Sequence, residues 1–571
     1  MKFQKLVDIY EALGSTTKRL EKIDILAHFL KNVDEKDSEV LYLLTGRVFP
    51  EYSEEKIGIS TQLVIKALSK STGLSPENIT KEWKKLGDLG EVSEKLSQKS
   101  KQKTLFSQAE LTVKKVYENI KQLPELEGKG TIDKKMSLII EILNSASPTE
   151  AKYIIRILLE DLRIGIQDST IREAMNLAFF DRTKEASEKL EAAFNKANDV
   201  AEVFLAAKKG KLHELDKISI EVGKPLKVML AQKAKTVKEG FEAVGKPAAI
   251  EFKYDGFRML IHKKGETITL FTRSLENVTK QFPEVVEYVK KYVKGESFII
   301  DSEAVGFDKK TKKYQSFQHI SQRIKRKYDI EKLREELPVE VNVFDLIYLN
   351  GKSYLDEPFE KRSEAVRKII KDEKYKIVAS KQLITDDEEK AEKFYKEALK
   401  DNQEGIMMKS LQSPYNPGSR VGHMLKIKPE ERDLDLVIVG GEYGTGKRSG
   451  WLSSFVLACR DDKTGEFLEI GKMGTGIKEK TEEGVSFEEL TEKIKPLITK
   501  EHGKEVKIKP KLVVSITYQE IQKSPSYSSG FALRFPRFTA LRTDKPLSEV
   551  NSLADIEKDF EKQFNRNYKY G

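Results

Sequence analysis

The sequence predicts three domains in a fixed order: an all-α N-terminal domain, a mixed α+β middle domain, and a C-terminal domain of short strands forming a small β-barrel. Three observations predict it. The chain has 571 residues, enough for about three domains with ample core. Apolar residues recur at helical spacing through residues 1–217. The pattern then changes twice, to mixed strands and helices over 218–431 and to short strands with glycine turns over 432–571.

Composition narrows the function classes. A hydrophobic content of 39% is ordinary for a soluble protein. No stretch has the length and apolarity of a membrane span, and the N-terminus lacks a signal peptide's apolar run, so no membrane is expected. The net charge of +10 and pI near 9.0 favour a polyanionic partner such as nucleic acid. The single cysteine, Cys459, excludes a disulfide framework and a four-cysteine zinc site, and fits a reducing compartment. Charged residues, mostly Lys and Glu, make up 34%, which matches a thermophile's ion-pair habit.

In the N-terminal domain, Phe3, Leu6, Val7, Ile9 and Tyr10 recur at helical spacing, as do Ile23, Ile25, Leu26, Phe29 and Leu30. Ser147-Pro148-Thr149-Glu150 is a capping box with proline at the first helical position. The helix it opens turns Ile154, Ile155, Leu158, Leu159 and Leu162 inward, with Lys152, Arg156 and Arg163 interspersed and Gly165 as its stop. A further helix is expected from an Asp168-Ser169-Thr170 cap. Two loops, Gly128-Lys129-Gly130-Thr131 and Arg163-Ile164-Gly165, could hold phosphate or simply connect helices. Ser100-Lys101-Gln102-Lys103-Thr104-Leu105-Phe106 reads as an exposed polar loop carrying an apolar Leu-Phe pair. That pair either tucks onto the helices or meets a partner.

Residues 218–246 read as a connector. The middle domain is organised around Glu251-Phe252-Lys253-Tyr254-Asp255-Gly256-Phe257-Arg258. Ala248-Ala249-Ile250 leads in as a strand, Asp255-Gly256 is a turn signal, and Met259-Leu260-Ile261-His262 resumes a strand. The reading is a hairpin with one lysine near its mouth. A lysine is a nucleophile only when neutral, so nearby cations or partial burial must favour its deprotonated form. Alone, the pattern is also that of an exposed lysine beside a turn. Downstream come Phe271-Thr272-Arg273-Ser274 after a strand, and Phe298 to Ala304, a strand ending on the carboxylates Asp301 and Glu303. The apolar strand Val341 to Tyr348 follows, with Phe344 and Asp345 in it. Glu404 to Lys409 is another strand, and Arg420 precedes Leu425-Lys426-Ile427-Lys428, where alternation puts both lysines on one face.

The C-terminal domain opens with Leu434 to Gly441, followed by the strands Phe455 to Ala458 and Leu512 to Ile516. Gly444-Thr445-Gly446-Lys447 lacks full phosphate-loop spacing and a following helix, so it reads as a barrel turn.

Taken in order, these signatures resemble the covalent nucleotidyltransferases: ATP-dependent DNA ligases, RNA ligases and capping enzymes. Glu150 to Glu173 resembles the helical DNA-binding domain before the catalytic core of archaeal and eukaryotic DNA ligases. Lys227 to Ala231 resembles the start of that core, and Ala532 to Phe538 its last signature. The resemblance, to ATP-dependent DNA ligases of the archaeal type, spans essentially the whole chain. It implies a helical DNA-binding domain, an adenylation domain and a C-terminal OB-fold. It also implies nick sealing in replication, recombination and repair through lysyl-AMP and adenylated DNA, with Mg²⁺ or Mn²⁺ as the metal.

By the same resemblance, Lys253 attacks the α-phosphate of ATP, and Lys426 and Lys428 neutralise that phosphate. Glu303 and Glu404 are hard oxygen ligands for the metal. Phe344 faces the adenine ring, and Glu251 accepts from its amine, discriminating against guanine. Arg258 and Arg273 bind the nucleotide sugar and nicked-strand phosphates, and Arg420 lies near the AMP. Arg534 and Arg537 orient pyrophosphate from a mobile OB domain. Gln102, Lys103, Leu105 and Phe106 resemble the sliding-clamp peptide of archaeal ligases. The implied partners are nicked double-stranded DNA and a sliding clamp, and the protein is expected to be a cytoplasmic, nucleoid-associated monomer. Met424 departs from the family's usual aromatic, and its thioether can fill the same apolar wall. Two other readings stay open: a capping-type or RNA-end nucleotidyltransferase, and a non-catalytic scaffold for DNA and clamp.

Overall fold

The structure, a computed structural model, describes the chain apart from residues 54, 100–109, 127–129, 316, 318–319, 321–322, 325–327, 430–431, 445–447, 449, 480–483 and 566–571. The Gln102–Phe106 stretch, Gly128 and Lys129 of one glycine loop, and residues 445–447 of the other therefore lie outside the described residues. The chain forms two compact units, residues 1–395 with 406–427, and residues 396–405 with 428–571.

The first unit begins with helices running from Phe3–Gly14 to Leu212–Asp216. The capping box forms as expected: the Glu150 N–H donates to Ser147 Oγ at 3.3 Å and the Ser147 N–H to Glu150 Oε2 at 2.8 Å. The helix Pro148–Leu158 is shorter than its pattern suggested. Beyond it the chain turns through left-handed residues at Glu160, Arg163 and Gly165, so Leu162 reaches the core from a loop. Lys22 Nζ donates to the carbonyls of Ile164 (2.5 Å) and Gly165 (3.1 Å), and Arg156 Nη1 to that of Leu162. Arg156 also pairs with the buried Asp88 at 2.6 Å, and Arg163 is drawn to the same carboxylate at 3.6 Å. Cations of two neighbouring helices, Lys22 and Arg156, therefore hold this loop in place. The next helix, Asp168–Phe180, has Gln167 at its N-cap position with no side-chain cap hydrogen bond, and Asp168 sits in the first turn. Gly90 lets the helix Leu89–Lys99 cross Pro148–Leu158 closely: a Cβ there would lie 2.7 Å from the Lys152 carbonyl.

The rest of the first unit is built on two sheets. The strands are β1 (Leu230–Lys233), β2 (Ala248–Lys253), β3 (Phe257–Lys264), β4 (Thr267–Thr272), β5 (Ser297–Gly306) and β6 (Val339–Leu349). They continue with β7 (Lys352–Ser353), β8 (Ile377–Ala379), β9 (Gln382–Thr385), β10 (Gly405–Ser410) and β11 (Arg420–Ile427). One sheet has the order β1-β11-β10-β2-β9. The other runs β4-β3-β5-β6-β7, with β8 parallel to β6. Alternate β3 residues serve two cores: Met259 and Ile261 pack with Val285, Val289 and Val366 from helices, while Leu260 packs with Ala231, Val421 and Met424 of the other sheet. Residues 218–246 are more than a connector, since they supply β1 and the helix Val237–Val244.

The expected hairpin does not form, because β2 and β3 belong to different sheets. The chain crosses from one to the other through Tyr254-Asp255-Gly256, which leaves Lys253 as the last residue of its strand. Gly256 is required by space: a Cβ there would lie 2.3 Å from the Ala304 carbonyl oxygen in β5. That strand also runs beyond Glu303 to Gly306, so it does not end on its carboxylates.

The second unit contains β12 (Arg432–Tyr443), β13 (Leu452–Arg460), β14 (Phe467–Met473), β15 (Ile498–His502) and β16 (Glu505–Ile508). Then come β17 (Val513–Tyr518), β18 (Glu520–Lys523), β19 (Phe531–Arg534) and β20 (Arg537–Leu541). The long β12 is the pivot, pairing with β17 along residues 432–437 and with β16 along 440–442. A closed barrel is not found among the described residues. Beyond β14 the chain meets β20 at a single bridge, Thr475 to Arg537, rather than along a ladder. The core of this sheet includes Leu436, Phe455, Ile470, Leu490 and Ile516.

Candidate active site

Lys253 is half-buried at the end of β2. Tyr254, next to it, is buried, its oxygen accepts from the Lys381 N–H at 3.1 Å, and burial pushes its hydroxyl up to about 12. Two residues before Lys253, Glu251 is buried. It pairs with Lys409 of β10 at 2.6 Å and accepts from Gln382 of β9 at 2.9 Å.

The second sheet lines up its own row. Arg258 of β3 stands opposite Glu303 of β5, which stands opposite Asn342 of β6. Phe344 lies two residues further along β6 and is half-buried. The Arg258 guanidinium is 5.4 Å from its ring centroid and the Lys409 ammonium 4.8 Å. The aromatic and the two cations thus converge.

Arg258 also has internal work that the sequence did not reveal. Its Nε and Nη2 donate to the two oxygens of the fully buried Asp301 at 2.9 and 2.5 Å. Its Nη1 donates to the Met229 carbonyl at 2.6 Å. Tyr415 completes this group: its hydroxyl donates to Asp301 at 2.7 Å and accepts from the Met229 N–H at 3.2 Å. Burial works against the Arg258 charge, but Asp301 more than offsets it and holds the guanidinium pKa above its ordinary value. Behind Phe344, Asp345 accepts from the buried Arg362 at 2.7 Å, tying β6 to the helix Phe359–Ile369.

Among the other candidates of the first unit, Lys426 is half-buried on β11 and Arg273 is exposed after β4. Arg420 is exposed, with its Nη1 donating to the Ala231 carbonyl at 2.9 Å. Three residues of β11 bulge out between its pairings with Ala231 and Gln232, so the simple alternation across Arg420–Lys426 is broken. Met424 is buried in the apolar cluster with Met229 and Phe271. In the second unit, Lys428 pairs with Glu404. Arg534 pairs with Glu520 across β18 and β19 at 3.2 Å, and Arg537 is exposed at the start of β20.

The residues that sequence reasoning missed are Asp301, Tyr415, Gln382 and the structural use of Lys409. Asp301 and Lys409 fell within noted stretches, but Gln382 and Tyr415 carry no local signal. Their role follows from which strands are neighbours.

At this crossing a strand-end lysine lies two residues from a buried carboxylate, and the other sheet carries a cation-flanked aromatic and a half-buried arginine. Comparison with known proteins concerns the chain as a whole. Residues 2–176 match the family described as DNA ligase N terminus, 228–428 the ATP dependent DNA ligase domain, and 448–545 the ATP dependent DNA ligase C terminal region. The chain is 46% identical to the DNA ligase of Nanoarchaeum equitans, covering 99% of each chain. It is 42% identical to that of Thermococcus fumicolans over 98% of each, and 38% identical to that of Archaeoglobus fulgidus over 99% of each. A solved structure named Pmar-Lig_PreS3 shares the fold at a TM-score of 0.54, with 18% identity over 94% of this chain and 99% of that one. The chain belongs to the ATP-dependent DNA ligases. It is an enzyme that seals nicks in DNA using ATP, which decides between the readings the sequence left open.

Proposed function

We propose that Lys253 is the nucleophile of this ligase and that the residues around it divide the work of three phosphoryl transfers. The observation that carries this reading is the position of Lys253 at the crossing between two sheets. Glu251 lies two residues back on its own strand, and the other sheet carries the row of Arg258 and Glu303, with Phe344 two residues along β6 from the Asn342 that completes it. In the first step the Lys253 Nζ lone pair attacks the α-phosphorus of ATP. A P–N bond forms, the bond to pyrophosphate breaks, and lysyl-AMP remains. In the second, an oxygen of the 5′-phosphate at the nick attacks that phosphorus and the P–N bond breaks. In the third, the 3′-hydroxyl attacks the 5′-phosphorus and AMP leaves. Such chemistry is mostly positioning and charge neutralisation.

In this reading Lys426 and Lys428 neutralise the α-phosphate, Phe344 stacks on adenine, and Glu251 accepts from its 6-amino group. Arg258, Arg273 and Arg420 serve the sugar and phosphates. The Asp301, Met229 and Tyr415 contacts leave Arg258 one further N–H to donate. Among the described residues no cluster of three metal-ligating side chains occurs. Mg²⁺ takes one or two carboxylates and otherwise waters and substrate phosphates. Glu303 and Glu404 would hold it, and it would neutralise charge developing on the phosphates. Glu404 would exchange its present partner, Lys428, for the ion.

We read the C-terminal sheet as an OB-type domain whose Arg534 and Arg537 orient pyrophosphate. Only ATP carries the β- and γ-phosphates, so these cations act on the first step alone. In single-turnover assays Arg534→Ala should slow self-adenylation by about one to three orders of magnitude and change sealing of a pre-adenylated nick much less. Glu303→Ala should impair both. Equal damage to both steps by Arg534→Ala would make Arg534 a DNA contact or a partner for Glu520. Gln102, Lys103, Leu105 and Phe106 are assigned to a sliding clamp by their pattern alone. Unchanged clamp affinity in a Gln102→Ala/Phe106→Ala double variant would refute that assignment.

A further inference from the structure

Glu251 is gripped from both sides. On β9, Gln382 stands directly opposite it in register and donates Nε2–H to Oε1 at 2.9 Å. On the other neighbouring strand, β10, Lys409 reaches Oε2 at 2.6 Å. The Lys409 and Glu251 side chains are 4% and 3% exposed. The Lys409 ammonium also lies 4.4 Å from the Phe359 ring centroid and 4.8 Å from that of Phe344. The Gln382 amide is in turn held by Ser363 at 3.1 Å, and Ser363 accepts from Arg367 at 3.0 Å. One helix, Phe359–Ile369, therefore backs the whole arrangement.

A pair buried this deeply adds little net stability over an apolar pair, because desolvation offsets the Coulomb attraction. What it does supply is a defined hydrogen-bonding character. A carboxylate paired with an ammonium is an acceptor only. Its remaining lone pairs match a ligand donor and repel a ligand acceptor. A 6-aminopurine presents an N–H at that position, and a 6-oxopurine presents an oxygen.

We propose that Lys409 and Gln382 are specificity-determining positioning residues. They fix Glu251 as an oriented, acceptor-only carboxylate and thereby restrict the nucleotide to 6-aminopurines. This rests on the reading above that Glu251 faces the base.

The test is single-turnover labelling of the full-length protein with ATP, inosine triphosphate and purine riboside triphosphate, the last lacking any 6-substituent. The wild type should prefer ATP over both. Lys409→Met should lower the ATP-over-inosine preference on the order of 10- to 100-fold, the range for a buried group deprived of its partner. It should raise the ATP concentration needed for half-maximal rate more than it lowers the saturated rate. Gln382→Leu should act in the same direction with smaller effect, and Lys409→Arg should retain most of the preference. If Lys409→Met slows all three nucleotides alike and leaves the ratios unchanged, the proposal is overturned. Should that variant fail to fold, Gln382→Leu decides, and unchanged ratios there overturn it equally. A wild type indifferent to the 6-substituent would instead overturn the base-reading role of Glu251 itself.

Discussion

Burial decides how His262 responds to pH. The ring is 1% exposed, and its Nδ1 accepts from the Gly223 N–H at 3.0 Å, which fixes the proton on Nε2. Burial pushes its pKa down from 6.5 to about 3. Between those pH values the unfolded chain binds a proton that the folded chain does not, so stability falls as the pH drops through that window and is unaffected above it. His262→Leu should lose stability at pH 7.5, because the Gly223 N–H is left unpaired. The gap to wild type should then narrow below pH 6.5, by up to about 1.4 kcal/mol per pH unit. Urea unfolding of both proteins from pH 7.5 to 4.5 measures it, and a constant gap would show that His262 does not titrate as its burial requires. Residues like this one are illegible in the sequence. His262 stands in an apolar strand run, and nothing nearby announces that Gly223 will donate to it. Lys253, Glu303 and Phe344, by contrast, stand out as candidates in the sequence because several short signatures occur in one order.

At the scale of elements, the crossing between β2 and β3 places the candidate nucleophile. Asp255-Gly256 reads as a hairpin turn, because local sequence reports where the chain bends and not which sheet each arm joins. The structure resolves this through contact. Gly256 lies against the β5 backbone, where a Cβ would meet the Ala304 oxygen at 2.3 Å and the Glu303 side chain at 3.1 Å. Gly256→Ala must therefore push the turn away from β5 and shift Lys253 relative to Glu303. It should cost about 1–3 kcal/mol, as overpacking does. It should also slow self-adenylation more than tenfold, since misplacements of about 1 Å can cost two orders of magnitude. Thermal unfolding and single-turnover labelling check both, and a variant with wild-type values for each would remove the close approach from the account. The same limit explains the barrel: glycine turns and short strands report a strongly bent sheet, but closure depends on ladder pairing between its edges, which is here one bridge.

For the whole molecule, the helical region and the two-sheet region of the first unit are tied by named contacts. Lys227 pairs with Glu51 at 2.8 Å and Asp168 at 3.5 Å, and Asn198 Nδ2 donates to the Pro225 carbonyl at 2.8 Å. Domain order was legible from the change in periodicity along the chain, and the charge of +10 pointed to a polyanion. The pairing of Lys409 and Gln382 with Glu251 was not, because it depends on β10 and β9 both lying beside β2. The central claim is that one side chain, Lys253, carries the nucleotide while other parts of the chain bind the nick. It is tested by incubating wild type and Lys253→Ala with α-labelled ATP or GTP, followed by a denaturing gel, alongside nick binding by both proteins. The account predicts label from ATP on the wild type, stable in base and lost in acid, none on Lys253→Ala, and nearly equal nick affinity. Wild-type labelling of the variant, or label taken up from GTP alone, would contradict it.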